Sequence, residues 1–343
     1  MIQTLILSTL LFSCAPISHM TDSIDTLMQR YADGSPGASL LVIRDGKAVV
    51  RRAYGMADLE KKIAATPQTN YRLASVTKQF TATAILLLYQ DSKLSLDDRI
   101  KRWLPSLPAA LDSVTIRQLL THTSGIIDYE DVIPPGTTAQ LHDADVLRLL
   151  ESQDSTYFKP GTKYQYSNSG YALLALIVER VSEKSFAAFL HDRIFAPLGM
   201  NHTVAFEDGV STVSNRAFGY TMKDSAWTRK DQSTTSAVLG DGGIYSSIDD
   251  LVRWDAALYD SRLLSDASRK LAFSPQTPTD KPDVSYGFGW RITGETLWHS
   301  GETSGFRNVI VRYPARHLTV VILRNRDDPQ PYETALAIAK LYL

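Results

Sequence analysis

Cysteine is nearly absent from this chain: Cys14 is the single thiol in 343 residues. One thiol excludes a fold stapled by internal disulfides. Neither charge sign is in excess, with 36 Lys and Arg against 37 Asp and Glu and a net charge of −1. There is no basic cluster and no basic patch interleaved with aromatics, which argues against a nucleic-acid partner. No run is long and apolar enough to cross a bilayer. A Gly-x-Ser-x-Gly elbow is missing, which weighs against an α/β-hydrolase. There is no His-Glu-x-x-His helix either. His122, His142, His191 and His202 lack ligand spacing, so neither a metal nor another cofactor is expected. What remains is an ordinary globular composition. At 44% hydrophobic content the chain suits one large domain, or two closely packed subdomains, with a substantial core.

The first twenty residues read as a targeting segment. Residues 5–12 form a mostly apolar core too short to span a membrane. Leu11-Phe12-Ser13-Cys14 resembles the bacterial lipoprotein cleavage box, which makes Cys14 a candidate lipid anchor. The alternative is an ordinary secretory leader cut nearby, with Cys14 lost. Either way the protein is expected to be exported, as a periplasmic or membrane-anchored lipoprotein of a bacterium. Residues 21–343 then form the mature domain.

Hydrophobic periodicity organises that domain. Residues 22–31 carry Ile24, Leu27, Met28 and Tyr31 at helical spacing. Residues 38–43 and 48–54, joined through Asp45-Gly46, read as a β-hairpin. An apolar run predicts a helix over 77–89 that is buried all round. From there to about residue 230 the chain reads as helices and long loops, clearest at 115–120, 143–150 and 171–190. Residues 296–298, 308–313 and 318–323 read as strands, and 332–341 as a closing helix. Strand signals at both ends with helical signals between them predict an α+β fold. One antiparallel sheet is flanked by helices, with an all-helical insertion over about 75–230 beside it.

Three short motifs carry chemistry. Ser75-Val76-Thr77-Lys78 places an amine one turn from a hydroxyl. A serine hydroxyl needs a base before it attacks a carbonyl, and a desolvated lysine can be that base. Tyr166-Ser167-Asn168 follows a Pro160-Gly161 turn and offers a phenol and an amide from one loop. His299-Ser300-Gly301 ends an apparent strand, where a glycine lets a substrate backbone approach closely. Each motif alone reads as ordinary: a helix start, a loop with a helix cap, a structural histidine. The three in this order read as an acyl-transfer site.

That order resembles the penicillin-recognising serine hydrolases, in the branch of class C β-lactamases, D-alanyl-D-alanine carboxypeptidases and β-lactamase-like esterases. The likeness covers nearly all of the mature chain. Lesser signatures agree, at Leu119-Leu120-Thr121-His122-Thr123-Ser124-Gly125, Gly242-Gly243-Ile244-Tyr245-Ser246 and Tyr286-Gly287-Phe288-Gly289-Trp290. The resemblance implies a β-lactamase/transpeptidase-like fold with its cleft between the sheet and the helical part. It implies Ser75 as nucleophile, with Lys78 and Tyr166 sharing the base role. Asn168 would position the acyl group and Lys78. His299 and Ser300 would meet the polar end of the substrate, beside Gly301, and the backbone N–H groups of Ser75 and Glu302 would hold the oxyanion. His299 stands where most β-lactamases have lysine, so its charge is expected to vary near neutral pH. His122 is read as structural, and Asp128, Tyr129 and Glu130 as a solvated loop, with the edge of the cleft as the alternative. The expected substrate is a small molecule or peptide: a D-alanyl-D-alanine-type peptide, a β-lactam or a small ester. The alternative is a penicillin- or peptidoglycan-binding sensor that is acylated without efficient turnover.

Overall fold

Leu40 and Val42 turn to one face of a sheet, and Leu41 and Ile43 to the other, and both pairs are buried. Strands covered on both faces read as continuous apolar runs rather than alternating ones, and Leu40-Leu41-Val42-Ile43 and Val320-Val321-Ile322-Leu323 are such runs. A computed structural model describes residues 17–32 and 34–343. The expected leader and Cys14 lie outside the described residues.

The main sheet has eight strands among the described residues. In order across it run Thr277–Pro278, Val284–Tyr286, Arg291–Thr293, Thr296–Thr303, Phe306–Tyr313, Leu318–Arg324, Ala38–Arg44 and Lys47–Tyr54. Every neighbouring pair is antiparallel. Strands from the two halves of the sequence therefore pair near one edge of the sheet, where Leu40 lies opposite Ile322. The expected hairpin is present. Asp45 and Gly46 have φ of 50° and 74°, the left-handed pair that a tight hairpin turn requires.

One face of the sheet packs on the terminal helices Ile17–Met28 and Tyr332–Lys340, through Met28, Val309, Val311, Val320 and Ile338. The other face buries Ile310, Val321 and Leu323 in the larger core. That core contains the helix Lys78–Gln90, whose residues 78–88 are all buried, as the sequence pattern predicts. The central helix Asn168–Ser182 lies beside it.

Two expectations change. The helix expected over 171–190 is two helices, Asn168–Ser182 and Phe186–Leu190. Glu183 breaks it in a left-handed conformation (φ 58°), and Ser185 caps the second piece through the Ala188 N–H. The middle of the chain also contains short strands. Ile244–Ser246 pairs with both Tyr71–Arg72 and Val204–Ala205, and Tyr220–Lys223 pairs with Ala226–Arg229.

Candidate active site

Ser75 lies in a 3-10 turn, Ala74–Thr77, that runs directly into the helix beginning at Lys78. Residues three apart eclipse one another in a 3-10 turn, so serine and lysine overlap more closely than on an α-helix. Ala74 has φ 50°, a strained value for a residue with a Cβ, and the strain sits one residue before the hydroxyl. The turn is anchored by the neighbouring strand. The Leu73 N–H donates to the Ile244 carbonyl (2.8 Å), and the Ile244 N–H donates to Thr77 Oγ1 (3.3 Å).

Lys78 is fully buried. Its Nζ lies at hydrogen-bond distance from Ser75 Oγ (3.0 Å), Asn168 Oδ1 (2.8 Å) and the Asp241 carbonyl (3.0 Å). The Asp241 carbonyl belongs to the short helix Leu239–Gly242, which sequence reading missed. Asp143 holds that helix by accepting the Leu239 and Gly240 N–H groups at 2.9 and 3.0 Å. Burial pushes the Asp143 carboxyl up to about 8 and the Asp241 carboxyl up to about 7. The one cue in the sequence is the polar, glycine-rich stretch Gly240-Asp241-Gly242-Gly243 set before a buried strand.

Asn168 is the first residue of the central helix rather than part of a loop. Its Oδ1 faces Lys78, as expected, but its Nδ2 donates to Glu130 Oε1 (3.1 Å). Its own N–H donates to Asp128 Oδ2 (2.7 Å). The Asp128–Glu130 segment is therefore part of the site and not a solvated loop. Tyr129 is fully buried and donates to Asp241 Oδ2 at 3.0 Å. Burial raises the Asp128 and Glu130 carboxyls above their ordinary range.

Tyr166 stands beside Lys78, whose Nζ lies 4.9 Å from the ring centroid. The Tyr166 hydroxyl is buried and has no hydrogen-bond partner. The ring stacks on His122, with centroids 4.2 Å apart.

The third motif departs most from expectation. His299 is 1% exposed. Its Nδ1–H donates to the Ser300 carbonyl (2.7 Å), and its Nε2 accepts from the Tyr286 hydroxyl (3.0 Å). Burial first, then the charges of Arg291 and Lys78, hold its pKa well below the ordinary value. His299 is thus a neutral, hydrogen-bonded ring, and its charge does not vary near neutral pH. By the pleat, Ser300 shares a face with Trp298, which packs in the outer core, so its side chain turns away from Ser75. Gly301 serves the protein's own backbone. A Cβ there would lie 2.1 Å from the Leu73 carbonyl oxygen and 3.2 Å from Ala74 Cβ. The Glu302 carboxylate also points away, pairing with Arg307 (2.8 Å) and accepting from Gln330 (2.7 Å).

A small cleft joins these elements. Ser75, Glu130, Asn168, Asp241, Glu302 and Thr303 line it, together with Arg72. Tyr166, His299 and Ser300 do not. Arg72 is committed elsewhere, donating to Ser236 O, Gln232 Oε1 and Gly242 O.

Comparison with known proteins bears on the family and the fold. The beta-lactamase family pattern matches residues 24–342. The chain is 31% identical to penicillin-binding protein 4* of Bacillus subtilis (strain 168) over 337 residues, covering 93% of this chain and 74% of that one. Among solved structures it is similar to the octameric penicillin-binding protein homologue of Pyrococcus abyssi. That match has a TM-score of 0.82 and 27% identity, and covers 95% of this chain and 77% of the other. It is also similar to the D-amino acid amidase of Ochrobactrum anthropi SV3, solved with L-phenylalanine amide. There the TM-score is 0.81 and the identity 26%, covering 94% of this chain and 99% of the amidase.

Proposed function

Because the chain belongs to the beta-lactamase family, within the penicillin-recognising serine hydrolases, we propose that it cleaves an amide or ester through an acyl-enzyme on Ser75. The carrying observation is the Ser75 Oγ–Lys78 Nζ–Asn168 Oδ1 chain, whose Ser75 and Asn168 line a cleft, with the Tyr166 ring centroid 4.9 Å from Lys78 Nζ and its hydroxyl unpartnered. Ser75 Oγ attacks the carbonyl carbon as its proton passes to the Lys78–Tyr166 pair, which enters the step one proton short, with Lys78 as a free amine or Tyr166 as a phenolate. The tetrahedral oxyanion collapses, the C–N or C–O bond breaks, and the leaving amine or alcohol takes that proton. Water then attacks the Ser75 ester, the same pair accepts its proton and returns it to Ser75 Oγ as the acyl C–O bond breaks, releasing the acid and restoring the serine. Ser75 and Glu302 lining one cleft supports backbone N–H donation to the oxyanion from both.

The charges at the cleft favour one part of the expected substrate range. Lys78 and Arg72 spend their donors on protein acceptors, His299 is neutral, and Arg307 faces Glu302. Arg291 stacks over Tyr166, Tyr286 and Trp298, outside the residues lining the cleft. Glu130 and Asp241 line it, and no cationic side chain is hydrogen-bonded to either carboxyl group. A neutral or amine-bearing acyl donor, such as a small ester or an amino-acid amide, suits this cleft better than a substrate ending in a carboxylate.

A hydrolysis panel on the protein from about residue 21 tests both statements. It holds p-nitrophenyl acetate and butyrate, a D-amino-acid anilide, nitrocefin and a D-Ala-D-Ala peptide. Turnover of the esters or anilide, lost in Ser75→Ala, is the expected result. Covalent labelling by a fluorophosphonate that survives Ser75→Ala would overturn the nucleophile. Nitrocefin or D-Ala-D-Ala peptide as the fastest substrate would overturn the charge argument. An acyl-enzyme that persists for hours on every substrate would favour the sensor reading instead.

A further inference from the structure

His122 is 2% exposed and lies just past the helix Ile116–Leu120, in a left-handed conformation with φ 56°. Such a conformation is strained in a residue with a Cβ, and it persists where the surroundings hold it in place. Here it aims one residue at three consecutive positions of the Tyr166 segment. The His122 carbonyl accepts the Gln165 N–H (2.9 Å). The ring face lies on the Tyr166 ring, with centroids 4.2 Å apart and planes 31° apart. The ring Nδ1 accepts the Ser167 N–H (3.2 Å). Tyr166 is thus held from before, from the side and from behind, and Asn168 follows immediately.

The hydrogen bonding also settles the state of the ring. An Nδ1 that accepts from a backbone N–H carries no proton, so the neutral ring carries it on Nε2. Nε2 is buried and has no hydrogen-bond partner. Tyr171 and Tyr286 enclose the ring, with centroids at 5.1 and 4.7 Å. An apolar side chain would fill this space equally well, but it would leave the Ser167 N–H buried and unbonded. Filling the core explains the packing and not the acceptor.

We propose that His122 is the positioning residue for Tyr166: its carbonyl, ring face and Nδ1 together set where the Tyr166 phenol stands relative to Ser75 and Lys78. The proposal rests on the acyl-enzyme reading above. It adds that the residue acts through Tyr166 and touches neither substrate nor reacting atoms.

The test is a double-mutant cycle on p-nitrophenyl acetate, with kcat and KM measured separately. His122→Asn keeps a hydrogen-bond acceptor and tolerates the left-handed backbone but loses the stacked ring. His122→Phe keeps the ring and loses the acceptor. Each is made in the wild-type chain and in Tyr166→Phe, and folding is checked by circular dichroism and thermal melting. Each folded variant is expected to lower kcat about tenfold or more, with KM nearly unchanged. In the Tyr166→Phe background the same change is expected to alter kcat less than about twofold, because the residue through which it acts has lost its hydroxyl. Equal losses in both backgrounds would make His122 a general structural residue and overturn the proposal. Wild-type kcat in folded His122→Phe would overturn it too, as would failure of both variants to fold. Absence of any Ser75-dependent turnover in the wild type would instead sink the hydrolase reading, before any His122 variant is made.

Discussion

The Leu73 carbonyl oxygen occupies the space that a side chain on Gly301 would need, 2.1 Å from where its Cβ would stand. The strand Thr296–Thr303 therefore lies directly on the turn that presents Ser75, and this closeness brings Glu302 and Ser75 to one cleft. Gly301→Ala must push strand and turn apart. Overpacking of this kind costs about 1–3 kcal/mol, and misplacing reacting groups by about 1 Å costs roughly a hundredfold in rate. Activity is expected to fall much further than stability. Urea unfolding beside kcat on the best ester would show it, and a folded alanine variant with wild-type kcat would contradict it.

Tyr166→Phe separates function from stability in the opposite way. The Tyr166 hydroxyl is buried without a partner, so its removal relieves an unsatisfied polar group instead of breaking a bond. The melting temperature is expected to hold or rise slightly. The kcat is expected to drop by about 10²–10⁴, the usual range for a lost acid–base group. A large loss of stability, or an unchanged kcat, would show that the hydroxyl has another role.

The buried pair Arg312–Asp255 makes a purely structural prediction. Arg312 Nε donates to Asp255 Oδ1 at 2.8 Å, with both side chains buried, and Thr319 donates to the same oxygen at 2.7 Å. The guanidinium lies over the Tyr259 ring at 4.6 Å. Asp255→Ala strands this cation in the core, a change expected to cost about 3–5 kcal/mol. Denaturant unfolding reads the loss directly, and a cost below about 1 kcal/mol would mean that water reaches Arg312.

The parts of this site that depend on residue type and short spacing are legible in the sequence. Ser75 and Lys78 are three apart and meet; the runs 40–43 and 320–323 are apolar on both faces and form interior strands. The parts that depend on distant partners are not. Nothing near Asn168 announces that its amide goes to Glu130, or that Asp143 caps the turn whose carbonyl takes Lys78. The strands Val284–Tyr286 and Arg291–Thr293 are too short to show a two-residue period. A glycine in a strand signals a close approach of some backbone, but only the fold identifies it as that of Leu73.

His299 shows the same difference and gives a pH test. Its charge depends on burial under Tyr286, which local sequence does not reveal. In the folded chain its pKa lies well below the ordinary value, chiefly through burial. In the unfolded chain it titrates near about 6.5. Below that pH the unfolded state binds a proton that the folded state refuses. The histidine's contribution is therefore complete above about pH 6.5 and is lost as pH falls, at up to about 1.4 kcal/mol per pH unit. His122, also buried and held neutral, acts in the same direction. Asp143 and Asp241, with carboxyls raised to about 8 and about 7, act in the opposite one, because the folded state takes their protons first. A single stability-versus-pH curve would mix these effects, whereas His299→Asn leaves the other groups in place and isolates its own. The variant is expected to be less stable than wild type at pH 7.5, since it loses the Tyr286 bond and some packing. That gap is expected to narrow as urea midpoints are taken at pH 6.5 and then 5.5. A gap that stays constant or widens on acidification would show that His299 charges inside the fold.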